Sequence, residues 1–152
     1  MNGNGATWIG GGAVAAIAVP IVASFCLALA HAIGLPVGDL REFPTSMIVL
    51  WGPVFGLMIV APVAFVLGAL AVRSAQRRLT IATPGMTIVR RCSTFVAGGG
   101  VVWGAVLAGI GTASFRVGWV LILVGLIAGA IGGSLVAWVV LSDRTERESH
   151  AA

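Results

Sequence analysis

The sequence predicts an all-α integral membrane protein, a bundle of four antiparallel transmembrane helices. Of the 152 residues, 59% are hydrophobic and only 9% are charged, whereas a soluble domain carries about 25% charged residues. The mean hydropathy is +1.07. Apolar runs of the ~20 residues needed to cross ~30 Å of hydrocarbon recur four times. So few charged side chains cannot cover a water-soluble fold, and the chain therefore needs lipid as its solvent.

The four spans are predicted near residues 13–33, 47–72, 95–112 and 117–141, followed by a tail at 142–152. The first run has no basic segment before it and is longer than a signal-peptide core, so we expect a retained span. Links at 34–46, 73–91 and 113–116 are short, which makes successive helices antiparallel neighbours in one domain. The tail mixes charges of both signs, and we expect it either to continue the last helix or to fray.

The arginine distribution predicts the orientation of the spans. Seven arginines fall in the 73–91 link and the tail, whereas only Arg41 and Arg116 fall on the other side. Since cytoplasmic loops retain positive charge, both termini are expected in the cytoplasm (N-in, C-in). The link arginines are expected to contact anionic lipid, each contributing about 1 kcal/mol; they are Arg73, Arg77, Arg78, Arg90 and Arg91. The composition, rich in Gly and Ala and free of Lys, suggests a bacterial genome of high GC content, so we expect the bacterial cytoplasmic (inner) membrane.

Tryptophans and prolines mark further features of the spans. Four tryptophans near span ends are predicted to lie at headgroup level; they are Trp8, Trp51, Trp119 and Trp138. Pro20 and Pro62 lie inside apolar runs, and each removes a backbone donor and clashes with the carbonyl four residues earlier. We therefore expect a bend at both prolines, with the Ser24 hydroxyl helping to satisfy backbone groups near Pro20.

Small residues form stripes on the last two spans and are the predicted helix-packing sites. On span four, five glycines fall within one sector of a helix; they are Gly118, Gly125, Gly129, Gly132 and Gly133. Span three has a counterpart spaced three or four residues apart, formed by Ala97, Gly100, Gly104, Ala108 and Gly111. Such stripes let two helix backbones approach closely. Two alternatives stay open: contact between spans three and four of one chain, or contact with a second subunit.

Ionisable groups inside a membrane usually mark a functional pathway, and none lies well inside a predicted span. Proton-coupled carriers, including four-helix multidrug exporters with a glutamate in the first span, are therefore disfavoured. Cys26 and Cys92 form no CxxC motif, so neither a zinc site nor a dithiol centre is indicated. Basic and aromatic residues are not interleaved, which argues against nucleic acid as a partner. We expect no catalytic residues, no cofactor and no metal site.

His31, near the end of the first span, is the one residue in a span whose side chain is suited to chemical function. It is most simply an interfacial histidine bound by a hydrogen bond or by water. The alternatives are an axial haem ligand, with a second histidine from another subunit, and a metal site shared with Asp39 and Glu42.

The sequence therefore favours a structural or accessory membrane subunit that acts through helix–helix association and has no catalytic chemistry of its own. Its expected partners are membrane lipids and, beyond them, other membrane subunits or a second copy of the chain. A small oligomeric channel or carrier for a small solute is the alternative.

Overall fold

The computed structural model describes residues 4–35, 37, 42, 44–77, 84–111 and 115–151. In this part of the chain the fold is all-α and contains five helices, which are α1 (Asn4–Ala32), α2 (Thr45–Ile59), α3 (Ala61–Gln76), α4 (Gly85–Gly111) and α5 (Phe115–Ala151). Three of them, α1, α4 and α5, are long and apolar enough to cross a membrane. The pair α2 and α3 makes a fourth if it counts as one broken span.

The second predicted span, residues 47–72, is broken rather than continuous. Its two helices meet at Val60 and differ in direction by 63°. Pro62 lies in the first turn of α3, where its missing N–H leaves the carbonyl of Met58 without a backbone donor. The bend expected near Pro62 is present and is large enough to end one helix and begin another. Pro20, in contrast, lies inside α1, which continues through it.

Helix α4 begins at Gly85, ten residues before the start of the predicted third span. Arg90 and Arg91 therefore lie on a helix, and the prediction of a link extending to residue 91 is wrong. Ile88 and Cys92 are buried one turn apart, while the two arginines are exposed. Such an amphipathic turn escapes a search for uninterrupted apolar residues, although its periodicity is helical.

Two other helix ends follow from local chemistry. α1 ends in a Schellman motif, in which the N–H of Leu35 donates to the carbonyl of Ala30 and the N–H of Gly34 donates to that of His31. Gly34 has a φ of 77°, which only glycine adopts readily. At the other end of the chain, α5 continues to Ala151. The polar tail therefore extends the last helix, one of the two expected alternatives.

Helix α1 runs alongside α2 and α3 in succession. Its first half meets α3, since a Cβ on Gly68 would lie 2.6 Å from that of Ala15. Its second half meets α2, where a Cβ on Gly56 would lie 3.1 Å from that of Pro20. As the residue number rises on α1 it falls on α2 and α3. The two short helices therefore follow α1 antiparallel to it, one after the other.

The core of the bundle is built from small side chains, and the large ones lie outside. The main cluster of fully buried residues consists mainly of Ala and Val, with Val72, Val96 and Val136 almost completely enclosed. By contrast, Leu50 is 69% exposed and Met58 is 73% exposed. This distribution is unfavourable in water but suits a bundle surrounded by hydrocarbon, where close backbone contact replaces hydrophobic burial as the source of stability.

Candidate functional site

The small-residue stripes of α4 and α5 face each other within one chain. A methyl group on Gly100 would overlap the carbonyl oxygen of Gly125, and a methyl group on Gly125 would overlap that of Gly100. An oxygen in that position lies where the Cα hydrogen of the other glycine points, the geometry of reciprocal Cα–H···O contacts. The described structure thus realises the first of the two alternatives, contact between the last two helices of one chain.

The same contact continues along both helices. A Cβ on Gly104 would lie 2.6 Å from the carbonyl oxygen of Leu121, one on Gly129 2.6 Å from that of Val96, and one on Gly133 2.6 Å from that of Cys92. Gly132 differs from the other predicted packing glycines, because a Cβ there would meet the side chain of Val19 on α1. α5 therefore contacts α4 with one row of glycines and α1 with a neighbouring glycine.

A shared hydrogen-bond acceptor lies inside this contact. The Ser93 hydroxyl of α4 donates to the carbonyl oxygen of Ala130 on α5 at 3.0 Å, and the Ser134 hydroxyl donates to the same oxygen at 2.9 Å. The Ser93 bond crosses between helices and fixes their register, in the manner of polar side chains between transmembrane helices. This bond was not predicted from the sequence, although Ser93 lies one turn before Ala97 of the predicted stripe.

Helix α2 is attached to α1 through a second close contact. Gly52 and Gly56 form a GxxxG pair, and a Cβ on Gly52 would lie 3.0 Å from that of Ser24. The Ser24 hydroxyl donates to the carbonyl of Pro20 at 2.8 Å. This bond uses the proton of the Ser24 hydroxyl. It does not supply a donor to the carbonyl of Ala16, which loses its usual partner because Pro20 has no N–H. Only Ile48 of α2 is buried, and the two glycines bring the backbone of α2 close to α1.

A groove of about 540 Å³ lies where α2 diverges from the rest of the bundle. Its floor is formed by α1 from Pro20 to Leu27, one wall by α2 from Met47 to Val60, and the opposite side is reached by Leu107 of α4. α3 packs against α4, but α2 turns away by 63° and leaves a wedge between itself and α4. The lining is almost wholly apolar, and its one hydroxyl, that of Ser24, is already hydrogen-bonded.

His31 bridges α1 and α2 one turn beyond the end of this groove. Its Nδ1 lies 3.0 Å from Oγ1 of Thr45, within hydrogen-bond distance. Its Nε2 is buried and has no hydrogen-bond partner among the described residues. His31 follows Leu27 by one helical turn, so the two lie on the same face of α1. The hydrogen bond between His31 and Thr45 matches the simplest of the three interpretations given for His31 above.

The residues of the haem and metal alternatives are only partly described. Asp39 lies outside the described residues, and Glu42 is exposed. Within the described residues no group of three or more His, Cys, Asp or Glu side chains is placed to hold a metal ion. Cys26 and Cys92 are free thiols on α1 and α4.

The described arginines of the predicted lipid contact lie at the opposite end of the bundle from His31. Arg73 and Arg77 end α3, and Arg90 and Arg91 lie in the first turns of α4; all four are exposed. Arg78 lies outside the described residues. This end of the bundle, called the arginine end below, also contains the polar part of α5.

Four tryptophans predicted at the headgroup level are partly exposed, from 41% for Trp119 to 69% for Trp138. The fifth, Trp103, was missed. It lies one turn before Leu107 on α4, and its indole Nε1 is buried without a hydrogen-bond partner in the described structure. A tryptophan in the middle of a span was the available signal, because indoles are otherwise concentrated at membrane interfaces.

Comparison with known proteins does not place the chain in a family. No protein-family model matches the sequence, and no curated protein or solved structure matches it with significance. The fold and the surfaces described above are therefore the basis for a functional proposal.

Proposed function

We propose that this chain is a four-span protein of the bacterial inner membrane with both termini in the cytoplasm, and that it acts as a structural or accessory subunit through helix–helix association, without catalytic chemistry of its own.

The path of the broken helix supports four spans. α2 and α3 follow α1 in succession, with His31 beside Thr45 at one end and Gly11 beside Val72 at the other. A re-entrant loop would return to the end of the bundle where it began. Together the two helices cover the length of α1, as one bent span would.

The exposed arginines support the orientation. Gly85, at the start of α4, lies against Leu141 of α5, so the arginines of α3 and α4 share one end of the bundle with the polar part of α5. Because cytoplasmic segments retain arginine and lysine, this arginine end is the cytoplasmic one.

The observation that carries the functional proposal is the outer face of α2. The stripe glycines other than Gly111 make contacts within the chain, so they are already used there rather than for a partner. Instead, α2 presents a row of large apolar side chains away from the groove, here called the outer stripe, consisting of Leu50, Val54, Leu57 and Met58. Spacings of four, three and one residue place them on one helical face. A helix that packs on the bundle mainly through α1 and carries a continuous apolar outer face is suited to contact a partner's transmembrane helix.

The test compares two double variants in co-purification from mild detergent. Leu50→Ala with Met58→Ala shortens the outer stripe, while Leu123→Ala with Leu126→Ala shortens two side chains of α5 that are each 45% exposed. We expect a stoichiometric membrane partner with the parent and the α5 variant, and at least tenfold less with the α2 variant, about 1.4 kcal/mol. A parent that purifies alone, or equal loss with both variants, would contradict the proposal.

The channel or carrier alternative has less support from the described residues. A path for a polar solute needs polar or charged lining, whereas the lining of the groove is almost wholly apolar.

A further inference from the structure

Two arginines of the arginine end lie side by side where α3 packs against α4. A Cβ on Gly99 of α4 would overlap the side chain of Leu67 on α3, so these two residues mark a common level. Arg77 follows Leu67 by ten residues, about 15 Å along α3, and Arg91 precedes Gly99 by eight residues, about 12 Å along α4. Because the two helices run in opposite directions, both arginines lie toward the same end of the bundle and at nearly the same height.

Both arginines also point to the same outer surface. Gly68 of α3 contacts α1 and Gly100 of α4 contacts α5, and α1 and α5 pack against each other in the interior of the bundle. Arg77 follows Gly68 by nine residues and Arg91 precedes Gly100 by nine, which is about two and a half turns of helix. Each arginine therefore lies on the side of its helix opposite the interior, and both are exposed.

Arg73 belongs to the same surface, whereas Arg90 does not. Arg73 lies one turn before Arg77 on α3 and is exposed. Arg90 precedes Gly99 by nine residues, so it points away from α3 and to the far side of α4. Three of the four described arginines therefore form one group, here called the arginine cluster, consisting of Arg73, Arg77 and Arg91.

The arginine cluster has a positive charge that its own helices do not balance. α3 and α4 contain no acidic residue, and the acidic residues of the tail lie on α5, which packs against the side of α4 opposite the cluster. Guanidinium groups bind phosphate through paired hydrogen bonds. The axes of two packed helices are about 8 to 10 Å apart, so side chains as long as arginine can reach one phosphate group from both helices.

Apolar side chains lie directly beneath the cluster, toward the middle of the membrane. Leu70 lies one turn before Arg73 and is 44% exposed, and Phe95 lies one turn after Arg91 and is 41% exposed. Beside them, a Cβ on Gly98 would meet nothing within 4 Å, which leaves this surface open. A ligand that contacts both the cluster and this surface needs a phosphate group and a long apolar part. A membrane phospholipid combines the two.

We infer that the arginine cluster binds the phosphate of one anionic phospholipid, whose acyl part lies along Leu70, Phe95 and Gly98. This site is more specific than the separate headgroup contacts expected of arginines beside a span, because in that case Arg90 would contribute as much as Arg91. The inference rests on the proposed membrane location but requires no protein partner.

The test is native mass spectrometry of the full chain, reconstituted in vesicles of equal parts phosphatidylglycerol and phosphatidylcholine and released with mild detergent. Arg91→Gln removes a charge of the cluster, and Arg90→Gln, its neighbour on the other side of α4, is the matched control. We expect one retained phosphatidylglycerol per chain for the parent and for Arg90→Gln. Arg91→Gln and Arg77→Gln should each retain at least fivefold less, because a charge-assisted bond to phosphate is lost. Equal loss with Arg90→Gln and Arg91→Gln, or no retained lipid on the parent, would overturn the assignment.

A second measurement uses the unaltered protein, so it does not depend on the folding of a variant. The parent should retain phosphatidylglycerol over phosphatidylcholine by at least fivefold, since the cluster repels the choline cation; equal retention would overturn the inference. Inorganic phosphate, compared with chloride at the same ionic strength, should not displace the lipid, because it lacks the apolar part. Displacement would mean that the cluster binds free phosphate and would overturn the lipid assignment. Both measurements use the chain without a partner, so their results are independent of the co-purification test.

Discussion

Gly129→Ala tests whether backbone contact between α4 and α5 holds the bundle together. The new Cβ would lie 2.6 Å from the carbonyl oxygen of Val96 and 2.7 Å from Cα of Ala97. Both are backbone atoms, so no side-chain rotation relieves the overlap. Restoring an ordinary contact distance requires the two helices to separate by about 1 Å, which forfeits a quarter to a half of the dispersion energy of each contact.

The expected loss can be worked out from these contacts. A few tens of atom pairs at about 0.1 to 0.2 kcal/mol each lose on the order of 1 to 2 kcal/mol. The Ser93 hydrogen bond to Ala130, which crosses the same contact, contributes about 0.6 kcal/mol more if it is broken. The overlap should therefore destabilise the folded bundle by about 2 kcal/mol.

The matched control is Gly98→Ala on α4, where a Cβ would meet nothing within 4 Å. Both changes gain the same helix propensity, about 1 kcal/mol in alanine's favour, so that effect cancels when the two are compared. Reversible unfolding in mixed micelles should show Gly129→Ala less stable than Gly98→Ala by about 2 kcal/mol. Equal stability of the two variants would refute the reasoning, because it would mean that the helices do not touch at Gly129.

Three further predictions follow from the described structure. In a chain without other cysteines, Arg77→Cys should react only with membrane-permeant thiol reagents and Ser46→Cys also with impermeant ones; the reverse pattern would contradict the orientation. Pro62→Ala restores the missing backbone donor and should reduce the 63° bend, seen as a longer distance between spin labels at the far ends of α2 and α3; an unchanged distance would mean that packing alone sets the bend. His31→Ala should cost about 1 kcal/mol by removing the bond to Thr45, and purified protein should show neither haem absorbance nor proton-driven solute uptake in liposomes; uptake abolished by His31→Ala would instead favour a carrier.

The fold class could be predicted from the sequence because hydropathy and span length are properties of the sequence itself. The bend near Pro62 was predictable because proline acts on its own helix, although the same reasoning applied to Pro20 and α1 continues through that residue. The facing of Gly100 and Gly125 was one of two open alternatives, because a small-residue stripe does not specify which helix it meets.

Other features depend on distances between helices and could not be predicted from the sequence. In the sequence, Gly52 and Gly56 are two glycines in an apolar run. Only the structure shows that they pack against Ser24 and Pro20 of α1. The groove exists only because α2 leaves α4 at an angle, and no residue type signals a gap. The start of α4 was misjudged because arginines interrupt its apolar pattern, although Ile88 and Cys92 retain the helical period.

The break at Val60 also bears on how the protein fits bilayers of different thickness. A straight helix of the combined α2 and α3 length, 15 and 16 residues, would be about 46 Å long at ~1.5 Å per residue. Bent by 63°, the pair covers only about 34 to 40 Å along the membrane normal, depending on how the tilt is shared. Since hydrocarbon is ~30 Å thick, the bend removes roughly 6 to 12 Å of the excess length of about 16 Å that a straight span would have. In the proposed topology a thinner bilayer would be matched by a sharper bend and a thicker bilayer by a straighter one, while α1, α4 and α5 keep their glycine contacts.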